Sequence, residues 1–349
     1  MPGERAAGAG LGLALLSAAT FSTSGSFARS LTGSGWSPAA AVAARISAAA
    51  LMLAVPAVVS LRGRWHALRR NLGMVAGYGL VAVAGCQVFF FNAVQHLSVG
   101  VALLLEYLGT VLVVGWLWVR HGHRPRRLTL SGSVVALLGL VFVLNLAGGS
   151  HLDPVGVLWG LAAAVGLAVY FVLSSRAADD LPPVAVASAG MSIGAASLLG
   201  LGGLGALPMH ATFGTVEFAG HRASWLVPVL GLSLVAAAIA YVAGIGAARL
   251  LGPKLASFVG LTEVVFAVLF AWLLLGELPT GTQLAGGLLI VAGVALVRVD
   301  ELRGTTPLPG TAATPAPGRV RRRTTARGLI RACGAVPLML VGVLVGGRR

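Results

Sequence analysis

The chain has 349 residues, of which 57% are hydrophobic and only 10% charged, and its formal net charge is +15. A water-soluble domain carries roughly a quarter charged residues, so this chain has too little polar surface to cover itself and its solvent is lipid. In hydrocarbon only helices or a closed barrel satisfy every backbone group. The apolar runs here are continuous and bilayer-length rather than short and alternating, which excludes a barrel and predicts an all-α integral membrane protein. The basic residues collect in loops and tail, where they set orientation and do not imply nucleic acid.

The start, MPGERAAGAG, leads into an apolar run. It lacks a strong basic n-region and flows into a multi-span pattern, so it reads as a first span and not a signal peptide. Ten transmembrane helices are expected, at about 9–28, 38–60, 72–93, 98–119, 129–148, 155–174, 183–207, 223–246, 254–275 and 281–299. Pro38, Pro154, Pro182, Pro183, Pro253 and Pro279 sit where loops pass into helices, and the 49 glycines suit close helix–helix packing. With the N-terminus inside, the inner loops hold eleven basic residues: Arg62, Arg64, Arg69, Arg70, Arg120, Arg124, Arg126, Arg127, Arg176, Arg249 and Lys254. The outer loops hold two, Arg29 and Arg222. This bias places both termini in the cytoplasm of a cell-membrane protein. Residues 301–349 turn Pro-, Thr- and Arg-rich and are expected to form a disordered basic tail; the final LMLVGVLVG is short for a span and is read as either an eleventh helix or an interfacial segment.

The chain also repeats itself. LLLEYLGTVLVVGWLWV (103–119) is echoed 157 residues later by GLTEVVFAVLFAWLLLG (260–276), and each run places one carboxylate, Glu106 or Glu263, inside an apolar helix. LSGSVVALLGLVFV (130–143) is echoed by LAGGLLIVAGVALV (284–297) at an offset of 154. The repeats divide the chain into halves at 1–148 and 149–300. With five spans each, the second half is inverted relative to the first. The loop charges agree, because RHGHRPRR after span four is basic and GELPTG after span nine has no positive residue. An inverted repeat with an acid in each copy is the pattern of a two-lobed membrane transporter.

Both acids lie roughly 12–14 Å into their spans at ~1.5 Å per residue, near the midplane. A charge there costs at least ~2.5–3.5 kcal/mol unless it faces a cavity, a partner or a proton. Glu106 and Glu263 therefore either line a central cavity, binding a substrate ammonium or carrying protons, or act as protonated or capping acids that lock the halves together. Arg45, in span two, either pairs with Glu106, holds a substrate carboxylate, snorkels, or neutralises a buried acid; the matching position in the second half is Gly190. Gln87 is a candidate substrate contact, and with Asn92 and Gln95 also a candidate for interhelical hydrogen bonds. Tyr107, Tyr170 and Tyr241 are candidates for lining the cavity or packing. Trp36, Trp65, Trp159 and Trp225 read as interfacial anchors, and Trp116 and Trp272 as a packed repeat pair. Lys254 is the only lysine, read as a compositional habit.

No metal site is expected: His121 and His123 lie in an Arg-rich loop and no HExxH is present. His96 stands at an outer helix junction as a candidate pH-sensitive group. Asp179 and Asp180 read as a solvated turn, and Glu277 as a helix-end acceptor. Cys86 and Cys333 make no disulfide framework. No nucleophile or metal cluster suggests a membrane-embedded enzyme, and no GxxxxGK[ST] loop provides a nucleotide motor, so no cofactor is expected.

The two repeated blocks, LLLEYLGTVLVVGWLWV with LSGSVVALLGLVFV and LTEVVFAVLFAWLLLGELPTGTQLAGGLLIVAGVALV, resemble the drug/metabolite transporter superfamily, specifically its EamA-type ten-helix members. PAAAVAARISAAALML (38–53), with Arg45, is similar to the family's second helix, and LEYLGT to its threonine/homoserine exporter branch. That branch commonly carries Pro where this chain has Thr110, so a helix kink is expected to be lost here. The resemblance implies alternating-access transport of a small polar metabolite such as an amino acid, often outward, driven by a proton or substrate gradient, in a monomer or homodimer. Uptake, and export of cationic drug-like compounds, remain open within the same class.

Overall fold

The computed structural model describes residues 2–122, 124–144, 153–176, 181–218, 220–275 and 278–305. His123, Asp179, Asp180, Glu277, Cys333 and the tail segment 329–346 lie outside the described residues. The elements run α1 (Pro2–Ser22), α2 (Ser24–Gly33), α3 (Pro38–Ser60), α4 (Trp65–Arg70), α5 (Leu72–Gly77), a π-helical turn (Tyr78–Gly85), α6 (Cys86–His96), α7 (Val99–Tyr107), α8 (Gly109–His121) and α9 (Arg127–Val143). They continue with α10 (Pro154–Arg176), α11 (Pro183–Gly203), β1 (Thr215–Phe218), β2 (His221–Ser224), α12 (Leu226–Ser233), a second π-helical turn (Leu234–Ile239), α13 (Ala240–Gly260), α14 (Thr262–Leu275) and α15 (Gly281–Thr305).

Eight helical stretches among the described residues are long and apolar enough to cross a membrane. The shorter apolar helices Arg127–Val143 and Thr262–Leu273 fall where the fifth and ninth spans were expected. Local sequence chemistry sets several helix starts. Ser37 accepts from Ala40 N at 3.2 Å ahead of Pro38, Ser98 accepts from Val101 N, and Asp153 Oδ1 accepts from Val155 N at 2.9 Å ahead of Pro154. At α15, Thr280 and Gln283 form a capping box, Gln283 Oε1 accepting from Thr280 N at 2.9 Å and Thr280 Oγ1 from Gln283 N at 3.3 Å.

The structure departs from the sequence reading in four places. First, no loop separates the expected spans 223–246 and 254–275: the chain stays helical to Gly260, interrupted only at Gly252 (φ 77°, ψ 165°) just before Pro253. Second, the helix is interrupted at Leu108 without a proline: α7 ends at Tyr107 and α8 starts at Gly109, and Thr110 Oγ1 donates to the Tyr107 carbonyl at 2.9 Å. The same device recurs where α13 gives way to α14, Thr262 Oγ1 donating to Val259 O at 2.7 Å. A hydroxyl that satisfies the freed carbonyl lets the helix break without proline. Third, the segment after α11 adds a two-stranded antiparallel hairpin, β1–β2, whose Phe218 stacks on Phe27 of α2. Fourth, Trp36 and Trp159 are buried in aromatic packing rather than placed at an interface, and Trp272 is 44% exposed rather than packed.

A close helix crossing joins α9 and α15. A Cβ at Gly139 would stand 2.6 Å from Gly286 O and one at Gly286 2.6 Å from Gly139 O; the pair Gly132 and Gly293 is related in the same way, at 2.8 and 2.6 Å. The two helices therefore run antiparallel with backbones in direct contact, packed through small residues.

Candidate functional site

A cavity of about 220 Å³ opens in the interior between α1, α3, α6, α7, α10, α13 and α14. Arg45, Gln87, Glu106, Tyr107, Tyr170, Tyr241 and Glu263 all line it. These seven residues come from six helices spread over most of the chain, and the fold brings them to one place.

Glu106 lies two residues before the α7–α8 break and Glu263 two residues after the α13–α14 break at Leu261, so each acid sits at a helix interruption. Both are half-buried. The Cys86 thiol stands 3.3 Å from Glu106 Oε1 and 3.5 Å from the Ala163 carbonyl. The Tyr107 hydroxyl stands beside the Glu263 carboxylate. Arg45 does not pair with Glu106: its Nη2 donates to the Ala236 carbonyl, its guanidinium lies 5.5 Å from the Phe21 ring centroid, and its charge acts on Tyr241 and Glu263. Tyr170 and Tyr241 meet edge-on at 5.7 Å, and Phe21 packs on Tyr241 at 4.9 Å. The cavity thus holds two acids, one guanidinium and a cluster of aromatic rings.

Sequence reasoning searched for charge and amides and so passed over Phe21, Phe90, Cys86 and Gly244, which also line the cavity. The signal for Cys86 was its place beside Gln87; for Gly244 there was none. A Cβ at Gly244 would collide with the Tyr170 hydroxyl and come within 2.8 Å of Ser17 Oγ. Asn92 and Gln95 stand away from the cavity, Asn92 donating to its own helix at Val88 O (2.8 Å) and Gln95 exposed. His96 Nδ1 lies 2.8 Å from Asp153 Oδ2, joining the end of α6 to the start of α10. The Val155 amide and the His96 ring hold the Asp153 carboxyl below the usual carboxylate range. Lys254 is not a mere compositional habit: its Nζ reaches Glu301 at 2.9 Å, Thr129 Oγ1 at 3.0 Å and the buried Asp300 at 3.4 Å, tying α13 to α9 and α15.

Lipid-facing helices wrapped around a charged interior cavity, with a broken helix delivering each acid, define a membrane transporter. The chain belongs to the EamA-like transporter family, which it matches twice, over residues 8–145 and 154–299. It is a multi-pass membrane protein and a transporter, not an enzyme. It is similar to the probable terminal-alkyne amino-acid exporter of Streptantibioticus cattleyicolor, 31% identical over 235 residues covering 65% of this chain and 73% of that protein. It also resembles the uncharacterized inner membrane transporter YicL of Salmonella typhimurium, 25% identical over 65% of this chain and 73% of that one. The threonine/homoserine exporter RhtA of Salmonella typhimurium is 27% identical over 62% of this chain and 67% of its own length. A solved crystal structure at 24% identity superposes with a TM-score of 0.68 over 87% of this chain and 99% of that chain, a likeness of fold.

Proposed function

We propose that this protein is a secondary transporter that exports small polar metabolites, amino acids first among them, by alternating access. In this reading ten helices form two inverted five-helix halves, 1–148 and 149–300, with both termini in the cytoplasm and a proton as the coupling ion. The observation that carries the proposal is the pair of repeat-related carboxylates, Glu106 and Glu263, in one interior cavity with Arg45 and the tyrosines. Carboxylates at that depth recognise an ammonium or take up a proton, because either relieves the cost of an isolated charge.

The reciprocal α9–α15 contacts support the inverted arrangement. Under the offset of 154, Gly132 maps to Gly286 and Gly139 to Gly293, so the contact of Gly132 with Gly293 maps onto that of Gly286 with Gly139. Such an exchange is what a two-fold axis generates. The printed activities of the amino-acid exporters among the relatives favour an amino acid. The two acids beside Phe21, Tyr170 and Tyr241 also suit a cationic drug-like compound, which is the second reading.

The test is uptake of labelled threonine, homoserine and a panel of amino acids into proteoliposomes, with and without an imposed pH gradient. Gradient-stimulated uptake that Glu106→Gln or Glu263→Gln abolishes is the expected result. Normal transport by both single variants overturns the role given to the acids, and no uptake across the panel moves the search to organic cations.

A further inference from the structure

The two π-helical turns occupy matching places in the two halves. The first begins at Tyr78 and the second at Leu234, 156 residues apart, against 157 between Glu106 and Glu263. Each turn leads directly into cavity-lining residues: Cys86 and Gln87 follow the first, Tyr241 and Gly244 the second. A π-helical turn holds one residue more than the α-helix around it and is uncommon outside functional sites. If that residue is given back, the downstream helix rotates by about 100° and shifts ~1.5 Å along its axis. The register of each turn therefore decides which side chains the following helix shows to the cavity.

The two turns are held differently. Against the first, α11 presents Gly190, and Tyr78 packs so tightly there that Gly190 has no room for a Cβ. Against the second, α3 presents Arg45, the residue that corresponds to Gly190. Arg45 is 7% exposed, and its Nη2 donates to the carbonyl of Ala236 inside the turn, 191 residues away in sequence. Its Nε has no hydrogen-bond partner among the described residues. So one turn rests on van der Waals contact and the other is clamped by a buried cation on a backbone carbonyl.

We propose that Arg45 is a positioning residue of the transport cycle: through the Ala236 carbonyl it fixes the register of the Leu234–Ile239 turn and so holds Tyr241 against the cavity. This rests on the reading of the cavity as the transport path, and it assigns Arg45 a partner in the backbone in place of a substrate carboxylate.

The test needs no substrate, so it can fail independently of the transport reading. Full-length protein in nanodiscs, with Cys333→Ser leaving Cys86 as the one thiol, is compared with Arg45→Met and Arg45→Lys. The readouts are hydrogen exchange of peptides covering 234–241 and 78–86, and the rate at which N-ethylmaleimide labels Cys86. Loss of one hydrogen bond from a charged donor should speed exchange of 234–241 about tenfold in Arg45→Met. Exchange of 78–86 should stay unchanged, the Cys86 labelling rate should shift, and Arg45→Lys, which keeps a donor, should restore both. Should Arg45→Met not be recovered folded, Arg45→Gln takes its place and should show the same local effect at smaller size. If Arg45 only fills space, Met behaves as wild type; if it serves only as a substrate contact, neither readout moves without substrate. Either result, or equal acceleration of both peptides, overturns the proposal.

Discussion

Gly139→Ala should be among the most damaging single-methyl changes in this protein, and the crossing of α9 and α15 gives the size. The added Cβ would lie 2.6 Å from Gly286 O and 2.7 Å from Ile290 N, about 0.8 Å inside ordinary contact for atoms that belong to backbone and cannot rotate away. The helices must part by nearly that amount, and a gap of ~0.5–1 Å forfeits roughly a quarter to a half of each dispersion contact along the seam. Overpacking of this kind costs about 1–3 kcal/mol. In lipid no hydrophobic term compensates, because packing itself is what holds the pair. At ~2–4 °C per kcal/mol for a chain of this order of size, the apparent Tm should fall by about 2–12 °C. The assay is thermal unfolding of purified protein in one detergent at one scan rate, since unfolding of such proteins is governed by rate as well as equilibrium. Gly115→Ala is the control: nothing lies within 4 Å of its added Cβ, so it should be neutral or gain up to ~1 kcal/mol from helix propensity. Gly293→Ala, the repeat mate, should match Gly139→Ala, and the double Gly139→Ala/Gly286→Ala should cost less than the two singles together because they share one contact. An unchanged Tm for Gly139→Ala, or an equal loss for Gly115→Ala, refutes the packing argument; a large Gly139/Gly293 difference refutes the two-fold.

Lys254→Met leaves the buried Asp300 with Thr129 alone, whose hydroxyl stands 2.6 Å from it, and should lower stability by roughly 1–3 kcal/mol; Lys254→Met with Asp300→Leu should recover much of this in the same melt. Gly252 takes φ 77° and ψ 165°, a region open in practice only to glycine, so Gly252→Ala should cost about 1–3 kcal/mol, whereas Gly8→Ala, with open space around it, should not. Asp153 is held below its ordinary carboxylate value by the Val155 amide first and the His96 ring next. Its contribution to stability is therefore full above the unfolded value of about 4 and lost as pH falls through the lower folded value. A pH series of melts should show that acid-side loss in the wild type and lack it in Asp153→Asn.

Much of this architecture was written in periodicity and charge. The apolar runs located nearly every helix, because a bilayer demands about twenty apolar residues and nothing else in the chain supplies them. Pro38, Pro154 and Pro183 begin helices because proline fits a first turn whose N–H has no partner in any case. The seven candidate side chains fall on one cavity, the charged and amide ones because a polar group at that depth has few places to go other than a cavity or a partner. What stayed hidden depends on contacts distant in sequence. Nothing near Lys254 announces Asp300, 46 residues on, or Thr129, 125 residues back, and no local pattern pairs His96 with Asp153.

The helix breaks show a subtler limit. A missing proline at position 110 argues for a straight helix only if proline is the one way to break it. Thr110 and Thr262 do the same work from the side chain, each hydroxyl taking the carbonyl three residues back. The two π-helical turns leave no compositional trace either, since YGLVAVAG and LVAAAI are ordinary apolar helix sequences. They depend on what packs against them, Gly190 in one case and Arg45 in the other. The repeat therefore made the two halves legible as copies, and the long-range contacts made them different. An acid at each break and a wide turn ahead of it recur in both segments that match the family, 8–145 and 154–299. A single arginine, present in one copy and replaced by glycine in the other, meets one turn through a hydrogen bond, while the other turn is packed directly on the glycine.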